Sequence, residues 1–468
     1  MVSVAVSKFG VAVRSSGAAM RAMRMLAARP APVATAGWIA GVTGAGWIAG
    51  GGGKRCVSTV HLESPEHAAK QHTRPFTSRS GAKNETNERP AGNKVVVIGG
   101  GYAGIEAAKR LDKAFDVALV AGGESFRHVM YGLRASVLPE QAPKMLVPYD
   151  NLLKNGTVKT CKASKINADE CTVTLASGES LPYDYLVLAT GYLHPKTPGF
   201  GNRAVTNADQ TTVFKQACAE LQAAQKILII GGGPVGIEMA GEIMEEMRGK
   251  SVTLVTSKEL MPAPTVTFSA TFRTRLRQKL EEVGVTVHTD GGRIDFSPKD
   301  INACGFIPGK KTYSWTGGEM EADLCIVCTG ATQPASLYAD SGLEAWLNEK
   351  GQLKVADTLE VKEAPGTGKI FAIGDCADLA VPKLGFLAGM EGANVAKQIT
   401  ASAAGKPLKS GKPPAIPISM VPVGKNGGVS YLPIGVAVGD FMTKKMKSED
   451  VFLWKYWSDL GAGKPPVV

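Results

Sequence analysis

Short apolar runs bounded by glycine or polar residues recur along the chain after residue 93. Lys94–Ile98, Asp116–Val120, Lys226–Ile230 and Ser251–Val255 are five-residue runs in which nearly every position is apolar. A continuous run of this length is typical of a strand buried on both faces, as in a parallel sheet. Sequences with helical propensity follow the first and third runs. The pattern therefore predicts two strand–helix–strand units of an α/β fold.

Three further apolar runs end in small or acidic residues. The segments 185–191 and 324–330 both end in Thr-Gly, which are Thr190-Gly191 and Thr329-Gly330. The segment 370–375 reads Ile-Phe-Ala-Ile-Gly-Asp and ends at Asp375. A carboxylate that follows a strand and a glycine can accept hydrogen bonds from a sugar-like polyol, so Asp375 is a candidate ligand-binding residue.

The glycines after two of the predicted strands have the Gly-x-Gly-x-x-Gly spacing. The first copy is Gly99, Gly101 and Gly104, with Tyr102 and Ala103 between, and the second is Gly231, Gly233 and Gly236. The first glycine of each permits a tight turn, the second lets a pyrophosphate approach the backbone, and the third lets the helix pack on the strand. Two copies in this context predict two Rossmann-like dinucleotide-binding domains. Two βα turns without a ligand are the structural alternative.

Composition and charge exclude several classes of protein. Hydrophobic residues make up 44% of the 468 residues and charged residues 20%, a globular balance that excludes wholesale disorder. The net charge of +11 is concentrated in residues 1–90, which hold twelve basic and four acidic residues. The remaining chain is nearly neutral, so we expect no nucleic-acid partner. The eight scattered cysteines suit a reducing compartment.

Residues 1–90 are predicted to be an organellar transit peptide and a linker. No acidic residue precedes Glu63, and arginine, serine and alanine are frequent, which is typical of a mitochondrial presequence and, as the alternative, of a plastid one. The uncharged segment 30–53 is long enough to span a bilayer but consists mostly of glycine and alanine. A membrane helix therefore remains an alternative for this segment, and the polar segment 60–90 is predicted to be a linker.

The combination of these motifs resembles the two-dinucleotide-binding flavoproteins. The resemblance covers about residues 94–400 and implies that the first fingerprint binds FAD and the second binds NAD(P)H. It also implies that Asp375 holds the ribityl chain of FAD, with Gly374 before it. Thr190, Gly191 and Gly330 belong to the motifs that carry the resemblance, and we take them as cofactor-binding residues.

Finer matches narrow the resemblance to the apoptosis-inducing factor 2 or ferroptosis-suppressor type of NAD(P)H:quinone reductase. The matching segments are 124–128, 133–137, 382–389 and 447–452. They imply cofactor-binding roles for Arg134 and Lys383, and catalytic roles for His128 and Lys447. Glu238, two residues after Gly236, matches a glutamate of the family, which implies a catalytic role for it as well. The implied acceptor is a quinone, which would involve peripheral membrane association. No metal site is predicted.

Each implied catalytic residue has a structural alternative. His128 could be a loop histidine paired with Glu124, and Glu238 could simply be a carboxylate favourably placed in the first turn of a helix. Lys447 could belong to a solvated charge cluster with Lys444 and Lys445. The aromatic residues of the C-terminal tail suit either a membrane interface or a packed core.

The chain departs from the pattern of the family at both ribose positions. The usual acidic residue at the end of the second strand of the FAD domain is Ala121 here, and Glu124 is a candidate substitute. The corresponding residue after the second fingerprint is Thr256, followed by Ser257 and Lys258. A neutral residue beside a lysine tolerates a 2′-phosphate, so NADPH is expected to be usable.

Cysteine spacing argues against disulfide chemistry. Thiol-dependent relatives carry two cysteines four residues apart after the first fingerprint helix, and none is present. Cys325 and Cys328 are interpreted as core residues rather than as a redox or zinc pair, and Cys376 as a packing residue.

The predicted fold is α/β, with two dinucleotide-binding domains and a small C-terminal module. The FAD domain comprises 91–205 and 325–410, the NAD(P)H domain 206–324, and the C-terminal module 411–468. The predicted reaction is hydride transfer from NAD(P)H to the flavin and electron delivery to a quinone. The alternatives are a ferredoxin or rubredoxin reductase, a type II NADH dehydrogenase and a redox-sensing signalling flavoprotein.

Overall fold

The structure is a computed structural model that describes residues 93–192, 206–263, 265–329 and 336–468. Residues 1–90, with the predicted transit peptide and the uncharged segment 30–53, lie outside the described residues, as does Gly330.

The strands of the described chain alternate with helices and loops. The strands up to residue 192 are β1 (Lys94–Ile98), β2 (Asp116–Val120), β3 (Ser125–Arg127), β4 (Leu146–Pro148), β5 (Thr157–Lys159), β6 (Ala163–Asn167), β7 (Thr172–Leu175), β8 (Ser180–Pro182) and β9 (Tyr185–Leu188). The later strands are β10 (Lys226–Ile230), β11 (Ser251–Val255), β12 (Thr286–His288), β13 (Phe306–Trp315), β14 (Gly318–Val327), β15 (Ile370–Ala372), β16 (Ser419–Pro422), β17 (Gly428–Tyr431) and β18 (Ala437–Val438).

Two of the helices follow directly after the second glycine of a fingerprint, Gly101 or Gly233. The α-helices are α1 (Tyr102–Leu111), α2 (Gly132–Val137), α3 (Asn207–Ala223), α4 (Pro234–Glu246), α5 (Ala270–Glu282), α6 (Ser336–Ala339), α7 (Gly385–Ala403), α8 (Asp440–Thr443) and α9 (Leu453–Asp459). Short 3₁₀ helices span Val129–Tyr131, Pro139–Met145, Pro298–Asp300, Glu344–Trp346 and Gly374–Cys376, and a π-helix spans Lys444–Ser448.

The first sheet has the order β15-β9-β1-β2-β5, and all of its strand pairs are parallel. β1 lies at its centre, where Val95, Val96 and Val97 are at most 2% exposed. A parallel sheet needs cover on both faces, which explains why β1 is apolar at consecutive positions rather than at alternating ones.

The second sheet repeats this arrangement with the order β12-β11-β10-β14-β13. Its strands are parallel except for the antiparallel pair β13–β14, which forms a hairpin at one edge. β10 is central here, as β1 is in the first sheet. The predicted α/β fold with two Rossmann-like units is confirmed.

The predicted boundary between 324 and 325 falls inside a strand and is corrected by the pairing of β14. Residues Leu324 to Val327 pair in parallel with β10, so this strand belongs wholly to the second sheet. The chain returns to the first sheet only after Val327, and β15 is added there beside β9. The return to the first sheet therefore starts at least three residues later than the predicted boundary.

The C-terminal module contacts both units. The antiparallel sheet β16-β17-β18 contributes Val421, Val429 and Tyr431 to the hydrophobic core of the second unit. Helix α9 contributes Tyr456 and Trp457 to the core of the first unit. Within the described ranges, no helix has both the length and the apolar character that crossing a membrane requires.

Candidate functional site

A cleft of about 660 Å³ lies where the carboxyl ends of β1, β9 and β15 meet helix α4. Ligands of open parallel sheets bind at this end of the strands. Most of the predicted site residues line the cleft: Gly99, Gly101, Tyr102, Ala103, Thr190, Gly191, Gly374, Asp375, Lys383, Glu238 and Lys447. The second glycine-rich segment contributes Pro234 and Val235 to this cleft, whereas its glycines Gly231, Gly233 and Gly236 are not part of the lining.

The three glycines of the first fingerprint occupy three different environments. Gly99 has a φ of +120°, and a Cβ there would overlap the carbonyl oxygen of Ala189. A Cβ on Gly104 would overlap the carbonyl oxygen of Gly99, so the start of α1 packs directly on the turn. A Cβ on Gly101 would meet no protein atom within 4 Å, because this glycine faces the cleft. The packing of the protein itself does not require glycine at 101, and the open space suits a ligand that approaches the backbone closely.

The second fingerprint repeats these environments. Gly231 has a φ of +124°, and a Cβ there would lie 2.6 Å from the carbonyl oxygen of Cys328. Gly236 packs against the carbonyl oxygen of Gly231, whereas Gly233 again has open space around its Cβ position. Both sets of residues thus fit the pyrophosphate of a dinucleotide, which the unpaired N–H groups at the helix N-terminus can bind.

Two basic residues line the cleft, whereas the usual acidic position after β2 is Ala121. Ala121 is 1% exposed, and Arg127 and Lys162 are the two basic residues in question. Glu124, the candidate substitute, is not part of the cleft lining, and its carboxylate accepts a hydrogen bond at 2.9 Å from the backbone N–H of Asn207, the first residue of α3. Neither of the two candidate positions therefore places a carboxylate in the cleft lining.

The turn after β15 directs Asp375 into the cleft. Gly374 has a φ of +76°, and its backbone N–H donates to Glu391 at 2.5 Å. Lys383 stabilises the turn by donating to the carbonyl oxygens of Gly374 and Ala377 at 3.2 and 2.7 Å. Burial raises the pKa of Asp375, and the nearby Lys383 ammonium opposes that rise. Asp375 is thus held by its turn in a position to accept from a polyol.

Glu391 and Tyr149 are site residues that the sequence analysis missed. Glu391 is 2% exposed on α7, and burial raises its pKa to about 7. It is the one acidic residue of that helix, which is the signal that could have identified it. Tyr149 lines the cleft and donates from its hydroxyl to the carbonyl oxygen of Gly100 at 2.8 Å. Both residues fix backbone turns that form the cleft.

Glu238 and Lys447 form a buried ion pair at the wall of the cleft. Their charged groups lie 2.8 Å apart, and each residue is 8% exposed. Lys447 also donates to the carbonyl oxygen of Met420 at 3.1 Å. Burial raises the pKa of Glu238, and the Lys447 ammonium opposes this. Lys447 is therefore not a member of a solvated cluster with Lys445, which is exposed.

His128 is fully buried and does not line the cleft. Its Nδ1 lies 2.9 Å from the hydroxyl of Tyr102, whose ring faces the cleft, and its Nε2 lies 2.5 Å from the carbonyl oxygen of Val451. Burial lowers the pKa of His128 to about 3, so the imidazole is neutral. His128 is not paired with Glu124, and any influence on the cleft passes through Tyr102.

Arg134 and Thr256 lie away from the cleft lining. Arg134 is 3% exposed and forms an ion pair with Glu242 at 2.8 Å, and it does not line the cleft in which a cofactor was expected to contact it. Thr256 follows β11 and is 4% exposed, with its side chain against Gly232. The second ribose position thus carries no carboxylate at residue 256.

The cysteines of the described chain are all free thiols. Cys325 is fully buried within β14, and burial raises its pKa to about 12. Cys328 follows the end of the strand and lines the cleft, and burial raises the pKa of its thiol as well. The single Cys328 thiol in the cleft lining provides no dithiol pair.

Comparisons with known proteins agree with this geometry. The sequence model of the pyridine nucleotide-disulphide oxidoreductase family matches residues 93–403. Ferroptosis suppressor protein 1 of Xenopus tropicalis is 31% identical over 380 residues, covering 80% of this chain and 97% of that protein. The mouse protein of the same name is 33% identical over 385 residues, covering 79% and 96%.

A second group of relatives is named for apoptosis-inducing factor. The apoptosis-inducing factor homolog B of Dictyostelium discoideum is 32% identical over 391 residues, covering 80% of this chain and 98% of that protein. Among solved structures, the sulfide:quinone oxidoreductase of Aquifex aeolicus superposes with a TM-score of 0.62 at 19% identity, covering 80% and 93% of the two chains. At this identity the likeness concerns the fold.

The site fits an enzyme that depends on FAD and NAD(P)H. Gly101 and Gly233 have open space at their Cβ positions, and Asp375 lies at the wall of the cleft. The chain belongs to the pyridine nucleotide-disulphide oxidoreductase family, within the group that includes ferroptosis suppressor protein 1 and the apoptosis-inducing factor homologues, and it is a flavoprotein oxidoreductase.

Proposed function

We propose that the chain is an NAD(P)H:quinone oxidoreductase. The observation that carries this proposal is the Glu238–Lys447 ion pair at the wall of a cleft shared by both nucleotide-binding segments. The pair places a protonated amine where an acceptor ring could lie beside the cofactors. Apolar side chains of Val129, Met130 and Leu384 also line this cleft and suit a flat hydrophobic acceptor.

The flavin and the nicotinamide supply the hydride and electron chemistry when they are bound. The residues of this chain bind and orient them: the N-termini of α1 and α4 hold the two pyrophosphates, and Asp375 accepts from the ribityl hydroxyls. The Nζ of Lys447, held 2.8 Å from the Glu238 carboxylate, can donate a hydrogen bond to a quinone oxygen as that oxygen gains negative charge.

The cysteines favour a quinone over a disulfide as the acceptor. Reduction of a disulfide through this fold requires a pair of thiols near the flavin. In the described parts of the chain, Cys328 is the cysteine that lines the cleft, and its raised pKa keeps it a thiol rather than a reactive thiolate.

A panel of acceptors tests this proposal. FAD-loaded protein is supplied with NADH or NADPH and then with a short-chain ubiquinone, glutathione disulfide or an oxidised ferredoxin. Rapid multiple turnover is expected with the quinone alone. Turnover with ferredoxin but not with quinone would replace the proposal with an electron-transfer reductase, and single reduction without turnover would favour a redox sensor.

We also propose peripheral membrane association through the C-terminal module. Large apolar side chains are exposed there: Ile434 is 71% exposed, Phe441 75%, Val436 47% and Met442 44%. Lys445 is exposed next to them in the sequence and can approach anionic head groups. A long-chain quinone resides in a bilayer, so its reductase must reach the interface.

Residues 1–90 are proposed to direct the protein to the mitochondrion, with the plastid as the alternative. Support comes from the absence of acidic residues before Glu63 and from the frequent arginines. A fusion of residues 1–90 to a fluorescent reporter is expected to enter one of these organelles. A reporter that stays in the cytosol would refute the proposal.

A further inference from the structure

Two buried ion pairs lie one helical turn apart on α4. Glu238 pairs with Lys447 and Glu242 pairs with Arg134, each at 2.8 Å. Residues four apart on a helix share a face, so both pairs lie between α4 and the segments packed on it. The first pair lines the cleft, and the second lies behind it. All four residues are at most 8% exposed.

Arg134 contacts more than its carboxylate partner. Its Nη2 donates to the carbonyl oxygen of Ser448 at 2.8 Å, and its Nη1 donates to that of Glu449 at 3.2 Å. These residues end the π-helix Lys444–Ser448, where carbonyl groups lack partners within the helix. The planar guanidinium can donate hydrogen bonds to a carboxylate and two carbonyls at once, whereas a lysine ammonium is a compact point charge without this fork geometry. Arg134 thus joins Glu242 to the backbone immediately after Lys447.

We infer that Arg134 is a positioning residue that fixes the end of the π-helix so that the Lys447 ammonium meets Glu238 at the cleft wall. This inference rests on the role of the Glu238–Lys447 pair in the proposed function. A buried ion pair is weak evidence for a gain in stability, because desolvation of the charges offsets their attraction. Fixing the register of a segment is a better explanation for retaining one.

The charges around the two pairs are limited to a few groups. Glu238 faces the cations Lys447 and Arg134, and Glu242 faces Arg134 and the two neighbouring acids Glu238 and Glu245. His128, which is neutral, lies near Lys447. Displacement of Lys447 would therefore leave Glu238 buried with Arg134 as its remaining cation.

A double-mutant cycle on the full-length, FAD-loaded protein tests the inference. Arg134→Met/Glu242→Met replaces the rear pair by apolar side chains, so no buried charge is left without a partner. The rate at which a short-chain ubiquinone reoxidises the reduced flavin is expected to fall about tenfold in this variant, since small displacements at a site are costly. Lys447→Met should cost a similar factor in the wild-type background. In the Arg134→Met/Glu242→Met background it should cost less than about twofold, because coupled residues are non-additive.

Hydrogen–deuterium exchange supplies a readout that does not depend on turnover. Amides of 444–452 should exchange at least about tenfold faster in Arg134→Met/Glu242→Met, with exchange in β1 and β10 unchanged. Arg134→Lys, which keeps the charge opposite Glu242 but not the fork geometry, should be intermediate. Glu246→Gln, on the exposed side of the same helix, is the matched control and should match the wild type.

The two readouts separate failure of this inference from failure of the proposed function. Unchanged exchange in 444–452, or fully additive rate effects, would overturn the positioning role. Faster exchange combined with a Lys447→Met variant of normal rate would support the positioning role and instead refute the function proposed for the ion pair.

Discussion

The hydroxyl of Tyr102 and the imidazole of His128 lie within hydrogen-bond distance, 2.9 Å from oxygen to Nδ1. The other ring nitrogen faces the carbonyl oxygen of Val451, which can only accept. Nε2 must therefore carry the proton, and Nδ1 accepts from Tyr102. These two hydrogen bonds join the first fingerprint helix to the C-terminal module, where Val451 and Phe452 have φ values of 51° and 63°.

Neutral His128 predicts a specific loss of stability in mild acid. Its pKa is about 3 in the folded protein against 6.5 when unfolded, so the unfolded state binds the proton first. The stability that this group contributes is complete above pH 6.5 and is lost as the pH falls from 6.5 towards 3. The loss is about 1.4 kcal/mol per pH unit, or about 2 kcal/mol between pH 6.5 and 5.

Chemical denaturation of the wild type and of His128→Gln measures this effect. The variant should be less stable at pH 7.5, and the difference in free energy of unfolding should shrink by about 2 kcal/mol between pH 6.5 and 5. A difference that is constant with pH would show that His128 does not titrate in the unfolding reaction.

Valine substitutions at Gly101 and Gly233 are expected to affect different cofactors, FAD in the first case and NAD(P)H in the second. Both glycines have extended backbone conformations that valine can adopt, and a Cβ at either would meet no protein atom within 4 Å. Valine should therefore leave the fold intact and obstruct the pyrophosphate. Gly101→Val should lose FAD, whereas Gly233→Val should keep FAD and bind NAD(P)H on the order of 100-fold more weakly.

Flavin absorbance after purification and the concentration dependence of flavin reduction distinguish the two variants. Each serves as the control for the other, since both introduce the same side chain at corresponding turns. Loss of flavin from Gly233→Val with flavin retained in Gly101→Val would reverse the assignment of the two sites.

Asp375 is expected to determine how tightly flavin is held. Hydrogen bonds to a charged group contribute about 1.5–3 kcal/mol, so Asp375→Ala should raise the FAD dissociation constant about 10- to 100-fold. Asp378→Ala is the matched control, because Asp378 lies three residues later and is exposed. Fluorescence titration of stripped protein with FAD measures both constants. Equal constants for the two variants would exclude Asp375 from the flavin site.

Much of the fold was predictable because its central strands are continuous apolar runs. The structure places β1, β2, β10 and β11 at the bounds that the sequence pattern predicts, since strands buried on both faces carry an unambiguous signal. The fingerprint glycines were equally predictable, because tight turn, close packing and open space are local requirements. The short strands β3 to β8, which pair in antiparallel fashion except for β5, were not anticipated, since short half-exposed segments have weak patterns.

The contacts that complete the site were less predictable because they join distant segments. Arg134 pairs with Glu242, which is 108 residues away, and Lys447 pairs with Glu238, which is 209 residues away. Nothing in the local sequence of Arg134 distinguishes a cofactor ligand from a buried ion-pair partner. The hydrogen bond that Glu124 accepts from the backbone at the start of α3 is likewise a consequence of tertiary packing.

The structure separates the aromatic tail into a packed part and an exposed part, and this changes the membrane prediction. Trp457 is 8% exposed and donates from its indole N–H to the carbonyl oxygen of Lys144 at 2.7 Å. Phe441, at 75% exposed, and Met442, at 44%, are instead available to a bilayer. Trp457→Ala is therefore expected to lower stability by about 3 kcal/mol through loss of core packing, rather than to affect lipid binding alone.

Phe441→Ser/Met442→Ser is the variant that tests membrane contact. Burying two large apolar side chains contributes about 3 kcal/mol at full insertion. Partial insertion should still make liposome binding of the variant at least about tenfold weaker. Reduction of a long-chain quinone in vesicles should slow accordingly. NAD(P)H oxidation with a short-chain quinone should persist, because Glu238, Lys447 and the fingerprints are untouched. If both acceptors fail together, the segment supports the cleft itself, and if neither changes, the protein meets its quinone through another surface.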